Sequence, residues 1–392
     1  MKIGIFFHAR RNQGGLFQYA ATLVHCLHAH ERAHKYVLFK ATAEPLPFRI
    51  DRPGWEVVEL APRSLLPRRA MEGALLMAGR AGWRYPLRVL PQYPEIQAAT
   101  LDLMLYVKPS IHSFLWPYPA VFPIHDLQHR FQPEFPEVSA WGECSRREFL
   151  YRNAVPRAAA ILADSETGKE DVSRAYGTPR ERVHALPHLA PTYLSPKVTD
   201  THLDRVRSRY ALPEPFLFYP AAFWPHKNHY RLIHALRIVK DRFGVRLPLV
   251  LVGGLRREYP KLLRLTRQLD LTDQVRFLGY VPDEDLYALY RLALALVMPT
   301  FFGPTNIPYL EAWSLDCPVV TSNVRGLPAQ VGDAGLLIDP RDEYAMAEAI
   351  WRVHGDEDLR CRLIERGRQK IAQWTPRDFT QRLVAILDSC LI

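Results

Sequence analysis

Four short stretches of this chain set chemistry-bearing side chains directly after apolar runs. Residues 301–313 read FFGPTNIPYLEAW, an apolar lead-in, a Gly-Pro-Thr-Asn turn and a helix-like stretch with one acid, Glu311. Pro308 suits the first turn of a helix. A capping box would need Ser or Thr at that position, so Glu311 is either a surface acid favoured by the helix dipole or a carboxylate that accepts hydrogen bonds from a vicinal diol such as a ribose. Thr305, Asn306 and their amides could hold a second polar group. In AAFWPHKNHYRL, Lys227 lies at the start of a helical pattern, with His226 and His229 around it. A cation there opposes the dipole at a cost of a few tenths to about 1 kcal/mol. An anion held between the lysine and the helix amides removes that cost; a solvated lysine is the alternative.

In FPIHDLQHRF, His125 and Asp126 follow an apolar run, with His129 close behind. The histidine could donate to a sugar hydroxyl or a phosphate, with Asp126 orienting nearby backbone; the plainer reading has Asp126 capping the next helix. Gly14 and Gly15 precede another helical pattern, where free amides attract anions and glycine allows close approach. The pair is not GxGxxG, so the dinucleotide fingerprint is missing and a simple tight turn is the competing reading. The triplets Asp283-Glu284-Asp285 and Asp356-Glu357-Asp358 have D-x-D spacing, but each opens a helical pattern where acids cap and stabilise. They are read as helix starts, and no metal site is expected.

The elements that must position these loops are short apolar runs separated by amphipathic stretches. KIGIFF (2–7), YVLF (36–39), WEVVEL (55–60), LDLMLYV (101–107), AVFPI (120–124) and AAILAD (159–164) form one series. FLFYP (216–220), PLVLVGG (248–254), VRFLGYV (275–281), LALVMP (294–299), PVVTS (318–322) and LLI (336–338) form a second. Such alternation predicts βαβ units and buried parallel sheets. A proline-rich polar stretch over 186–214 interrupts the rhythm and reads as a domain connection, and 358–390 is helical except near 374–379. Two doubly wound α/β halves result, and ligands in such sheets bind beyond the carboxyl ends of the strands.

Composition agrees. The 392 residues are 48% hydrophobic, enough for two cores. Five scattered cysteines form no CxxC pair, so neither zinc nor a disulfide framework is indicated. A reducing cytosol fits best. No run reaches the length of a membrane-spanning helix, and MKIGIFFHAR does not read as a signal peptide. The net charge of +10 favours an anionic partner. Without an RNA-binding signature or a zinc finger, nucleic acid is not expected.

The ordered set FLFYPAAFWPHKNHYRLIHAL, LVLVGG and VRFLGYVPDEDLYALYRLALALVMPTFFGPTNIPYLEAWSLDCPVVTSNVRGLPAQVGDAGLLIDP closely resembles the retaining glycosyltransferases of family 4. The likeness is strong over roughly 215–350 and extends into the first half through the Gly14-Gly15 loop, IHDLQH and ADSETGKEDV. It implies the GT-B fold, two Rossmann-like domains facing across a cleft. The expected boundaries are an acceptor domain over 1–190, a linker over 191–214, a donor domain over 215–373 and a helix over 374–392 that crosses back. The implied activity is transfer of a hexose from a nucleoside-diphosphate sugar to an acceptor, without metal or cofactor.

By the same resemblance the catalytic set is His125 near the transferred sugar, Lys227 at the donor diphosphate and Glu311 at the ribose diol, the last matching the second glutamate of an E-x7-E motif. Donor contacts are implied for Gly14, Gly15, Ala222 and Gly253, for the base-touching loop with Tyr280 and Val281, and for Pro304, Thr305, Asn306 and Ile307. Two departures stand out: the first glutamate of the motif falls on Gly303 and the usual phosphate arginine on Ala222. The GPTNIP variant resembles a branch of its own. It leaves no carboxylate nucleophile at 303 and passes more of the charge stabilisation to Lys227 and backbone amides. The branch favours mannose; UDP and GDP both remain open. A non-catalytic nucleotide-sugar binder or a sugar-nucleotide epimerase of the same fold is the alternative.

Residues 62–90 alternate six arginines with leucine, methionine, Trp83 and Tyr85. This is the pattern of an interfacial helix on anionic lipid, or equally of a surface helix packed on its own domain. A membrane-surface contact would suit a lipid-linked oligosaccharide acceptor in bacterial surface-polysaccharide assembly, at the inner face of the plasma membrane.

Overall fold

The computed structural model describes residues 1–60, 93–193 and 198–390. The arginine-rich stretch 62–90 lies outside them. The first lobe is a seven-stranded sheet of β1 (Lys2–Phe7), β2 (Lys35–Lys40), β3 (Trp55–Glu59), β4 (Leu103–Tyr106), β5 (Ala120–Ile124), β6 (Ala158–Ala163) and β7 (Val183–Ala185), ordered β3-β2-β1-β4-β5-β6-β7. The second is a six-stranded sheet of β8 (Leu217–Pro220), β9 (Leu249–Val252), β10 (Val275–Gly279), β11 (Ala295–Met298), β12 (Val319–Ser322) and β13 (Leu336–Ile338), ordered β10-β9-β8-β11-β12-β13. All pairs are parallel. The uninterrupted apolar runs follow from this: central strands such as KIGIFF are covered on both faces and need no polar alternation. The short strand β7 gives no such run and was not expected.

Strand order reverses between β1 and β4 in one sheet and between β8 and β11 in the other. These are the switch points where loops splay apart and a ligand can enter. The loops after β1, β8 and β11 carry Gly14-Gly15, Lys227 and the 303–307 turn.

The stretch expected as a linker carries the helix Asp200–Arg209, whose Val206 is buried in the second core. Its C-terminal end grips Asp285, which is fully buried and accepts hydrogen bonds from the Tyr210 hydroxyl at 2.8 Å and Arg209 at 3.0 Å. One acidic triplet thus opens the helix Asp283–Leu292 and anchors it, while Asp356 caps the helix Glu357–Ala372 by accepting from the Leu359 amide at 2.7 Å. After a reciprocal Thr375–Asp378 cap, the helix Pro376–Ser389 returns to the first lobe. It buries Phe379, Leu383, Ile386 and Leu387 among residues of β1 and the helix Gly15–His30. Among the described residues no helix is long and apolar enough to cross a membrane.

Candidate active site

The two lobes are drawn together by side chains that reach across the cleft. Gln18 donates to Glu311 at 3.0 Å, Gln128 to the Gly303 carbonyl at 3.1 Å, and Thr305 to Asp164 at 3.2 Å. Glu137 of the first lobe accepts from the His226 amide at 2.9 Å and pairs with its ring Nδ1. Phe135 packs against Phe301 and Phe302. Between the lobes lies a cavity of about 160 Å³, lined by His125, Gln128 and Phe131 on one side and Gly303, Pro304 and Arg325 on the other.

Glu311 sits in the second turn of the helix Ile307–Ser314 and is only 2% exposed. It is therefore not a surface acid. Its Oε2 accepts from the Tyr290 hydroxyl at 2.7 Å and its Oε1 from Gln18. Burial raises its pKa from 4.5 to about 7; the Tyr290 and Gln18 hydrogen bonds oppose the rise and nearby Asp283 adds to it. Tyr193 and Tyr287, both electrostatically coupled to this carboxylate, keep buried hydroxyls without partners among the described residues. The site has unused hydrogen-bonding capacity of the kind a diol would satisfy.

Lys227 closes a 3-10 turn, Pro225–Lys227, rather than opening a helix. Asn228 follows in the left-handed region with φ 59° and donates to the Pro299 and Pro340 carbonyls at 3.0 and 2.8 Å. This locks the turn to the loops after β11 and β13, and only then does the helix His229–Phe243 begin. The Lys227 ammonium has no hydrogen bond or ion pair with any described residue. Burial lowers its pKa from 10.5 to about 8, despite the opposing charges of Glu137 and Asp126. Burial likewise takes His226 down to about 4 and His229 to about 3, so both flanking imidazoles are neutral at pH 7. A half-buried ammonium without a partner among the described residues has the chemistry to receive an anion.

His125 follows β5, and its Nδ1 lies 3.0 Å from Asp164. Asp126 accepts from the Gln128 amide at 3.0 Å and from Arg147 at 2.8 Å; it braces the start of the helix Gln128–Phe131, although the N-cap position itself is Leu127. His129 is buried on Glu148 at 2.8 Å and is structural. Asp164 also lies 3.1 Å from His188 Nε2. His125, Asp164 and His188 are the residue types that hold cations. Here each imidazole aims one nitrogen at the carboxylate at hydrogen-bond distance, which accounts for the geometry. Neither acidic triplet belongs to such a group among the described residues.

The remaining expected donor residues divide by geometry. Gly14 has φ 58° and open space about it, and Gly15 faces Ile307 of the other lobe, so this loop and the 303–307 turn form opposite walls. Tyr280, at the end of β10, is 72% exposed and can serve as a flat platform, whereas Val281 is in the core and offers only its backbone. Gly253 has a packing reason of its own: a Cβ there would stand 2.4 Å from the Ala221 carbonyl oxygen, so the β8 and β9 loops touch only through glycine. Ala222 brings no charge. Pro304 has no amide hydrogen, and the Asn306 amide already donates to Gln330 at 2.8 Å, which leaves Thr305 and Ile307 as the available amides of that turn. A Cβ at position 303 would stand 2.1 Å from the Arg325 carbonyl oxygen. That position lacks an acid and also lacks room for one. Sequence reasoning missed Gln18, Asp164, His188 and Tyr290. The only available signal was Asp164 closing the apolar run 159–164, much as His125 follows the run 120–124.

Residues 201–370 match the family model described as glycosyl transferases group 1. The chain is 30% identical over 265 residues to O-antigen chain mannosyltransferase B of Escherichia coli, spanning 68% of this chain and 69% of that protein. It is 28% identical over 249 residues to the serotype-specific mannosyltransferase WbdA of Escherichia coli, spanning 62% of this chain and 30% of that one. Among solved structures, Anabaena HepE in complex with UDP and glucose aligns with a TM-score of 0.73 at 16% identity, over 99% of this chain and 100% of that one. The two facing parallel-sheet lobes are those of the GT-B fold.

Proposed function

The chain belongs to the group 1 glycosyltransferases, and from that premise we propose that it moves a hexose, mannose in our reading, from a nucleoside-diphosphate sugar to a saccharide or lipid-linked oligosaccharide acceptor, with retention at the anomeric carbon. The process it serves is bacterial surface-polysaccharide assembly, the setting named for its O-antigen relative. The observation that carries the reading is the ammonium of Lys227, without a partner among the described residues, set beside the β8–β11 switch point and close enough to the first lobe to feel the charges of Glu137 and Asp126.

The diphosphate lies against Lys227, the ribose diol donates to Glu311, and the sugar extends toward His125. The bond from anomeric carbon to phosphate breaks with oxocarbenium-like character. Negative charge grows on the departing diphosphate, where a preorganised donor is worth about 3–4 kcal/mol. Lys227 supplies the compensating positive charge, so the reading calls for no metal. The packing at Gly303 supports attack by the acceptor hydroxyl on the face the phosphate leaves, its proton passing to the departing phosphate oxygen, because no carboxylate nucleophile fits there.

Incubation with isotopically labelled GDP-mannose or UDP-glucose and an oligosaccharide acceptor, followed by NMR of the product, tests this. The expected product keeps the donor's anomeric configuration. An inverted glycoside would overturn retention, and nucleotide binding without any glycoside product would favour a binding protein.

A further inference from the structure

At the cleft end of the first sheet one carboxylate serves partners from both lobes. Asp164 is 4% exposed. Its Oδ1 accepts from His125 Nδ1 at 3.0 Å, its Oδ2 lies 3.1 Å from His188 Nε2, and the same oxygen accepts from Thr305 Oγ1 at 3.2 Å. Topology explains the convergence. β5 and β7 flank β6 in parallel, so their carboxyl ends emerge side by side. His125 follows β5, Asp164 follows β6, and His188 stands three residues beyond β7.

We propose that Asp164 is a positioning residue for sugar transfer: it fixes His125 with Nδ1–H on the carboxylate and Nε2 turned to the cleft, and through Thr305 it completes that arrangement only when the lobes close. The proposal rests on the reading above that a sugar is transferred in this cleft. Two further observations support it. His125 lines the cavity between the lobes, yet its Nε2 is buried without a partner, a polar atom that a bound donor would satisfy. The loop that has no room for an acid at Gly303 is the loop that sends Thr305 to Asp164.

The groups around His125 define its charge. Tyr19, from the helix Gly15–His30, meets its ring edge-on at 4.6 Å, and His188 lies 5.6 Å away between ring centres. Burial and Arg147, from the helix Glu143–Ala154, disfavour the imidazolium; Asp164 and Asp126 favour it and prevail, so His125 titrates above its ordinary 6.5. Burial also opposes ionisation of Asp164, but the His188 and His125 rings override it and hold the carboxyl far below the ordinary carboxylate range. The result is an ionised carboxylate that favours a second proton on His125, at Nε2, where it would meet a hydroxyl or phosphate oxygen of the donor.

The test uses the full chain with labelled histidine. NMR titration reads the His125 midpoint directly, whether or not the enzyme turns over. Asp164→Asn, nearly isosteric, is expected to lower that midpoint by about one to three pH units. It should cut kcat by about 10- to 100-fold while donor KM stays within about threefold. Activity should also fail at lower pH than in the unsubstituted protein, because the required proton leaves His125 sooner. Thr305→Val, which removes one hydroxyl, tests the closure link if the asparagine variant does not fold; it should lower kcat by about three- to tenfold. An unmoved His125 midpoint in folded Asp164→Asn, or kcat within about twofold of normal in either variant, overturns the proposal. If the unsubstituted protein makes no glycoside, the transferase reading fails, while the titration still decides whether Asp164 governs His125.

Discussion

Glu311→Gln should separate stability from function, and the structure sets the size of the effect. The carboxylate is 2% exposed, and burial raises its pKa from 4.5 to about 7. Each tenfold step in proton affinity is worth about 1.4 kcal/mol. Above pH 7 the ionised folded protein is therefore destabilised by about 3 kcal/mol relative to one with an ordinary carboxyl at this position. The sign follows from proton counting. Between 4.5 and about 7 the native state holds a proton that the unfolded state has released, so this group's contribution to stability falls as pH rises through that window and is flat above it. Glutamine has the same shape and no charge. It can still accept from Gln18, and the Tyr290 hydroxyl can turn to accept from the new amide. The variant should match the unsubstituted protein near pH 5 and exceed it by up to about 3 kcal/mol near pH 8.5. It should also lose donor affinity, because an amide is a poorer acceptor for a diol. Urea denaturation of both proteins across pH 5 to 8.5 measures the gap, and calorimetry with nucleotide sugar measures the affinity. A variant less stable at pH 8.5, or a gap that does not change with pH, would refute the account of Glu311 as a buried carboxylate held in readiness.

Lys227→Ala removes the one charge-assisted partner proposed for the diphosphate, worth about 1.5–3 kcal/mol; calorimetry should show nucleotide-sugar binding about 10- to 150-fold weaker. In the unsubstituted protein that binding should weaken as pH rises past about 8, where the free lysine loses its proton but the bound one does not. The alanine variant should show no such slope, and a slope that survives would assign it to another group. Gly303→Ala pushes a methyl to 2.1 Å from the Arg325 carbonyl oxygen. Such overpacking costs about 1–3 kcal/mol, so the Tm should drop and the Gln128 bridge should be disturbed, lowering kcat. Gly303→Glu should likewise impair rather than improve transfer, and a gain in kcat would show that the loop can open to admit an acid.

Much of this architecture could be read along the chain because parallel sheets write themselves locally. A strand covered on both faces is a continuous apolar run, and the residue after it is at the rim where ligands bind. His125, Lys227 and Glu311 were singled out on that basis. The same reasoning misjudged details that depend on contacts rather than on runs. The linker stretch conceals the helix Asp200–Arg209, because only the buried Asp285 explains why Arg209 and Tyr210 stand where they do. Lys227 does not open its helix, because Asn228 bonds to carbonyls from two distant loops.

Local pattern alone therefore determined two doubly wound lobes and the loops that face the gap between them. Periodicity and strand-end position are properties of a few adjacent residues. Which loops become neighbours was decided only in three dimensions. Gln18 reaches Glu311 across 293 residues of chain, and Thr305 reaches Asp164 across 141. Strand order and lobe closure set those meetings, and neither leaves a trace in any short window of residues. The charge of a buried group follows the same rule. Whether Glu311 titrates near its ordinary value or near 7 depends on how much water the closed lobes exclude, which only the packed structure fixes.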